Sequence, residues 1–168
     1  GVAIEYLRKK YHIHRIAYID IDAHHGDGVF YAFENDPDLL FVDIHQDGQS
    51  LYPGTGRADE KGEGIAAGSK LNIPMAAGAD DSDFQAVWSK AMEFLDAGKP
   101  EFIIFQCGAD SLSGDPITQL NYSEASHALA SRGLIQLAEQ YSKGRIIATG
   151  GGGYNMKTNQ KNTIIYTL

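Results

Sequence analysis

Cysteine is nearly absent: the 168 residues hold one, Cys107. An intrachain disulfide framework is therefore excluded, and a reducing compartment is the natural setting. Long apolar runs are missing too. None approaches the roughly 20 residues that a membrane-spanning helix needs. The given residues open on no charged-then-apolar leader, and the expected location is cytoplasmic. Basic residues are in deficit, 14 against 22 acidic, for a formal net charge of −8. That balance argues against direct nucleic-acid binding. An acidic surface favours cationic partners, although solvation alone accounts for it equally well. No internal repeat, low-complexity tract or interdomain linker interrupts the sequence.

What is present is a globular composition, 43% hydrophobic, in a length that suits one domain with a real core. Both ends read as cut. The first residues, Gly1-Val2-Ala3-Ile4, already belong to a helical stretch that runs to Tyr11. The last residues, at 164–168, form an apolar run without closing punctuation. The expectation is a fragment of a larger protein, truncated at both ends.

Four short apolar runs, at 15–20, 39–44, 101–106 and 145–149, predict buried strands. Their hydrophobicity is continuous rather than alternating, as in parallel strands covered on both faces. A fifth candidate at 70–73 follows a loop-rich stretch, 46–68. Ser82 followed by Gln85 predicts a capping box. Phe84, Val87, Trp88, Ala91 and Leu95 then keep helical spacing, with Gly98 as the stop and Pro100 beyond it. A second helix, about 123–142, carries Ala130, Leu134, Leu137, Ala138 and Tyr141 on one stripe, with Gly144 after it. Strand–helix–strand order at these lengths predicts an α/β fold with helices on both faces of a mostly parallel sheet.

Ligands in such folds sit beyond the carboxyl ends of the strands, where this sequence concentrates polar residues and glycine. The stretch Tyr18 to Gly26 is the most informative. An apolar run feeds directly into Asp20, Asp22 and His24, which period-two alternation points the same way. Two carboxylates and an imidazole buried together without partners cost several kcal/mol or more, roughly, and metal coordination is the usual remedy. After the second run come Asp43, His45 and Tyr52-Pro-Gly-Thr-Gly56. After the next come Gly108-Ala-Asp110-Ser-Leu-Ser-Gly114-Asp115-Pro116, and after the last Gly150-Gly-Gly-Gly-Tyr154-Asn155. Several strand ends loaded in this way predict one shared pocket.

These segments, in this order and spacing, resemble the histone deacetylase family, which includes acetoin-utilisation proteins and acetylpolyamine amidohydrolases. The resemblance runs from about Gly1 to Asn155. It implies an arginase/deacetylase-type fold, incomplete here, with the chain as the C-terminal portion of a catalytic domain. It also implies hydrolysis of an acyl amide, releasing acetate from an acetylated small molecule or an acetyl-lysine protein. By that resemblance Asp22, His24 and Asp110 are the ligands of zinc (Zn2+), with ferrous iron (Fe2+) as the alternative. Three nitrogen and oxygen ligands with an open fourth position agree with this. The metal would lower the pKa of a bound water and polarise the amide carbonyl, and Tyr154 would donate to the oxyanion. Asp20 and Asp27 match positions that orient a tandem histidine pair. That pair lies upstream of the residues given, and His12 and His14, at the wrong end of the first strand, are not it. The 168 residues alone are therefore expected to be inactive. Tyr52, Gly152 and Ile117 match substrate-binding positions. The backbone around Asp20, Asp22 and His24 also resembles the family's structural potassium (K+) site, where Asp43 stands at a position at which many members carry serine.

Plainer readings stand beside these. Asp22, His24 and Asp110 could form a metal-free hydrogen-bond network, and Tyr154 could merely pack. Tyr52 could anchor its own loop. His25 reads as a supporting group, His45 as either core or pocket wall, His127 as surface, and Cys107 and Trp88 as core. The sequon at Asn121-Tyr122-Ser123 reads as chance. Two functional rivals remain. One is a binuclear manganese hydrolase of the arginase and agmatinase type, the other a non-catalytic acyl-amine binder.

Overall fold

The computed structural model describes residues 1–155; the apolar run at 164–168 lies outside the described residues. Each of the five predicted runs becomes a strand of one sheet: β1 (Ile16–Asp20), β2 (Leu39–Gln46), β3 (Lys70–Met75), β4 (Phe102–Gln106) and β5 (Ile146–Thr149), but β5, expected to be buried, is an edge strand and largely exposed among the described residues. Their spatial order is β3-β2-β1-β4-β5, with every neighbouring pair parallel. β2 and β3 continue two residues past their predicted ends. Pro74 sits inside β3, paired with His45. It lacks a ladder donor and is tolerated because β3 is an edge strand.

Helices cover both faces: α1 (Val2–Tyr11), α2 (Asp27–Phe30), α3 (Asp81–Gly98) and α4 (Glu124–Tyr141). One face of the sheet, with Ala17, Ile19, Val42, Ile44, Ile103 and Phe105, packs on two helical stripes. These are Phe84, Trp88, Ala91 and Leu95 of α3, and Ala130, Leu134, Leu137 and Ala138 of α4. The alternate residues Ile16, Leu39 and Ile104 face the other way, onto Ile4 of α1, Ile13 and Phe33. Each fully buried side chain of this size contributes about 1.5–3 kcal/mol. All eight residues of β2 are buried, the two-sided burial that its unbroken apolar run implied.

Two helix boundaries differ from expectation. The cap of α3 is Asp80, not Ser82. Its carboxylate accepts from the Ser82 and Asp83 amides, and Asp83 returns a bond to the Asp80 amide. Aspartate at both positions makes the same reciprocal box that Ser and Gln would have made two residues later. Gly98 is the last helical residue rather than the stop, and the left-handed turn falls on Lys99. Gly98 is instead a packing glycine: a Cβ there would stand 2.2 Å from Leu40 Cδ1.

At the amino end of the strands lies Lys70, 2% exposed. Its Nζ donates to the carbonyls of Asp36 (2.8 Å) and Leu39 (2.9 Å) and to Ser69 Oγ (2.7 Å). At the opposite end, the chain leaves β1 for β2 on one side, and β4 flanks it on the other. The topological switch point is thus between β1 and β4, where their carboxyl ends open a crevice.

Candidate metal centre

Asp22 and His24 follow β1, and Asp110 lies on a short helical turn, Ala109–Ser111, after β4. The turn carries Asp110 back over the end of β1, so one donor atom from each residue falls within 4.8 Å of the others. His24 Nδ1 is 2.8 Å from Asp110 Oδ2 and 3.1 Å from Asp22 Oδ1. One ring nitrogen thus faces two carboxylates. Those contacts, to Asp110 first and Asp22 second, hold the imidazole proton up to about pKa 10.

The surroundings fix the two carboxylates. Burial alone would raise Asp22, but hydrogen bonds from the His24 ring and amide, Gln106 and Gly152 bring it below the usual carboxylate range. Asp110 Oδ1 accepts from the Ala23 amide at 2.8 Å, and Thr118 Oγ1 donates to the Asp110 carbonyl. The glycine run presses its backbone against both acids. Gly152 N donates to Asp22 Oδ2 at 2.7 Å, and a Cβ on Gly152 would stand 1.9 Å from Asp110 Oδ2. A Cβ on Gly151 would meet Gln106 Nε2 at 2.4 Å. Glycine is required here by the closeness of the acids, independently of φ.

Asp20 does not join the three donors, although alternation placed it with them. Its Oδ1 accepts from the Asp22 amide (3.0 Å) and its Oδ2 from the Tyr18 hydroxyl (2.7 Å). Burial, with the charges of Asp43 and Asp22 beside it, holds its carboxyl well above the ordinary value. Extended backbone ends at Asp20, so the period-two argument runs out there. Asp43 stands level with Asp20 across the β1–β2 register. One of its oxygens takes the Gly26 amide and the other the His45 ring, both at 2.7 Å. Beyond Asp22, His24 and Asp110, no further cluster of three such side-chain donors occurs among the described residues.

A cleft of about 560 Å³ opens over the centre, lined among others by Asp20, Asp22, His24, Asp27, Tyr52, Gln106 and Tyr154. Asp27 opens α2 on its wall. Tyr52 and Tyr154 are 80% and 52% exposed, hydroxyl-bearing rings at a rim and not packed in a core. The Tyr154 amide is held by Asp115 Oδ2 at 2.8 Å. Burial and the charges of Asp110, Asp22 and Asp115 push the phenol pKa up, which keeps it a donor. Ile117 is half exposed on the loop after Asp115 and does not line this cleft.

Other histidines sort differently. His45 is core: fully buried, it reaches Asp43 through Nδ1 and the Gly56 carbonyl through Nε2, at 3.0 Å. His25 meets Thr55 Oγ1 at 2.9 Å and tilts against His45, a supporting group as expected. His127 corrects the sequence reading. It is fully buried, with Nε2 3.1 Å from the Gly108 carbonyl. Its spacing to Ala130 and Leu134, three and then four residues, puts it on the apolar stripe of α4, a signal that was available. Gln106 was also missed. Its Nε2 holds Asp22 Oδ2 at 3.0 Å while its Oε1 takes the Gly108 amide at 2.6 Å. A polar residue ending an apolar strand beside a ligand loop was its signature. Cys107 and Trp88 are buried, as expected.

The donor set suits a divalent ion: two anionic oxygens and one imidazole nitrogen, buried beside further carboxylates, with one side open to the cleft.

Comparison with known proteins identifies the family. A model of the histone deacetylase domain matches residues 1–167. The acetoin utilization protein AcuC of Bacillus subtilis is 44% identical over 157 residues, covering 93% of this chain and 40% of the relative. A probable deacetylase of Archaeoglobus fulgidus is 37% identical, covering 94% and 43%. Among solved structures, the histone deacetylase Clr3 superposes with TM-score 0.89 at 29% identity, covering 99% of this chain and 28% of the other. An acetylpolyamine aminohydrolase from Burkholderia pseudomallei gives 0.86 at 26% identity, covering 99% and 47%. The chain thus spans about two fifths of the curated relatives it matches. With the domain model matched almost end to end and the parallel fold in common, the chain belongs to the histone deacetylase domain family.

Proposed function

We propose that this chain carries the metal-binding half of an amide-hydrolysing site, which in the complete protein releases acetate from an N-acetylated amine. The observation that carries the reading is the convergence of Asp22, His24 and Asp110 at the switch point, under glycine backbone leading directly to Tyr154. Asp22, His24 and Asp110 would hold zinc, or ferrous iron. When bound, the ion supplies Lewis acidity toward the amide carbonyl and toward water.

The remaining roles belong to the chain's own groups. Tyr154 donates its phenolic proton in a hydrogen bond to the oxygen that becomes anionic as the carbonyl is attacked. Its raised pKa keeps that proton in place through the neutral range. Gln106 and the Gly152 amide hold Asp22 in one orientation. Asp20 and Asp27 face the cleft where histidines from a preceding segment would stand, and would orient those rings. Tyr52 walls the approach of a long aliphatic stem. The buried Cys107 suits a reducing, cytoplasmic setting. By itself the 168-residue chain is expected to release no acetate, because none of its residues matches the tandem histidine pair that the family resemblance implies.

The binuclear alternative has less support, since Asp20, a further carboxylate lining the cleft, is committed to Tyr18 and the Asp22 amide. The non-catalytic binder is separated by whether adjacent histidines precede Gly1 in the complete protein.

The test is acetate release by the complete protein from an acetyl-lysine peptide and from an acetylated polyamine, with Tyr154→Phe beside it. Turnover should fall on the order of 10²–10³-fold in the variant while bound zinc stays at one per chain. Undiminished turnover in Tyr154→Phe, or a zinc-loaded wild type inert on both substrates, would sink the reading.

A further inference from the structure

His127 is fully buried in α4, and its only nitrogen contact among the described residues is one acceptor, the Gly108 carbonyl. A carbonyl oxygen cannot donate, so Nε2 carries the hydrogen. Nδ1 is left buried without a partner among the described residues. An imidazole held in this way is a poor choice for stability, because an unmet buried acceptor costs about 1–3 kcal/mol and leucine would suit the stripe. The residue therefore needs a reason other than packing.

The Gly108–Ala109 peptide supplies one. Its carbonyl takes the His127 hydrogen bond, and its N–H donates to the Gly152 carbonyl at 2.6 Å. Gly152 in turn donates to Asp22 Oδ2 at 2.7 Å, and Tyr154 follows two residues on. Gly108 also reaches Asp22 by a second route. Its N–H is held by Gln106 Oε1, and the same amide group holds Asp22 Oδ2. The peptide lies so close that a Cβ on Gly108 would stand 2.1 Å from that oxygen. Asp110 is the second residue after Gly108, on the same turn. Hydrogen bonds that share one peptide unit polarise each other, so a donor at its carbonyl strengthens the bond its N–H makes.

We propose that His127 is a positioning residue: from outside the cleft it fixes the Gly108–Ala109 peptide, and through it the Gly152 backbone, Asp22 and the placement of Tyr154. The inference rests on the metal reading for its functional consequence but not for its structural content.

The experiment compares His127→Phe, His127→Gln and Leu134→Ala in the complete protein. Leu134→Ala, on the same stripe, controls for general loosening of α4. Zinc affinity is measured by competition with a chromophoric chelator, and amide exchange at Ala109 and Gly152 by mass spectrometry on the zinc-free proteins. His127→Phe should weaken zinc binding about 10- to 100-fold and speed exchange at those two amides selectively. His127→Gln, which keeps a donor, should recover part of both, and Leu134→Ala should leave the zinc affinity of the folded protein unchanged. Wild-type exchange at Ala109 and Gly152 in His127→Phe would overturn the proposal, as would a zinc affinity loss equally large in Leu134→Ala. A wild type that takes up no zinc would overturn the metal reading instead, and the exchange result would still decide the role of His127.

Discussion

At the scale of single residues, the informative groups are those whose surroundings contradict their chemistry. Lys70 is the plainest: a buried ammonium whose three hydrogens meet three neutral oxygens. Burial pulls its pKa from 10.5 to about 8, although the Asp36 charge works the other way. The unfolded chain therefore binds this proton more tightly than the folded one. Between pH 8 and 10 the unfolded state carries more protons, so the lysine's contribution to stability rises with pH across that window. Denaturant midpoints should show this limb in the wild type and a flatter one in Lys70→Met; parallel profiles would contradict it. Legibility at this scale was uneven. Asp22, His24, Asp110 and Tyr154 could be picked from the sequence because short motifs bracket them. Asp20 lines the same cleft, but its carboxylate is taken by the Tyr18 hydroxyl and the Asp22 amide, contacts that alternation cannot foresee. His127 was misread because a polar letter was allowed to outweigh its position on an apolar stripe.

Elements were more legible than their ends. All five strands and both long helices were present in the hydrophobic pattern; two-sided burial explains the unbroken apolar runs of β1, β2 and β4, whereas β5 is largely exposed among the described residues. Ends depend on single hydrogen bonds, to which hydrophobicity is blind. The start of α3 shows this: Asp80, Ser82 and Asp83 are all capable caps, and only the backbone's entry decides among them. Asp80→Ala removes the acceptor for the Ser82 and Asp83 amides and should cost about 1 kcal/mol by chemical denaturation. Ser82→Ala, which keeps the acceptor, should cost distinctly less. Equal losses would return the cap to Ser82. The same limit explains Gly98, whose role is set by Leu40, far away in sequence.

On the scale of the whole molecule, the two apolar clusters lie on opposite faces of one sheet, and the candidate centre sits at the sheet's open end. No helix among the described residues is long and apolar enough to cross a membrane. A metal that binds only the folded chain stabilises it by mass action, by about 2.7 kcal/mol when free metal is a hundred times its dissociation constant. Chelation should therefore lower the thermal midpoint of the complete protein, and zinc should restore it where magnesium does not. A midpoint indifferent to chelator would count against the centre. The sequence could place the centre's parts but not their closeness, since that comes from three chain segments meeting.

That meeting also sets an order of events. His24 and Asp110 stand 86 residues apart in the chain, and nothing local brings them together. Until β1 and β4 lie side by side in register, only Asp22 and His24, two residues apart, are together. Were the proposed ion bound, its capture would report on the register of the sheet. A strand slipped by one residue turns its side chains to the other face, and only correctly registered molecules would carry the ion forward.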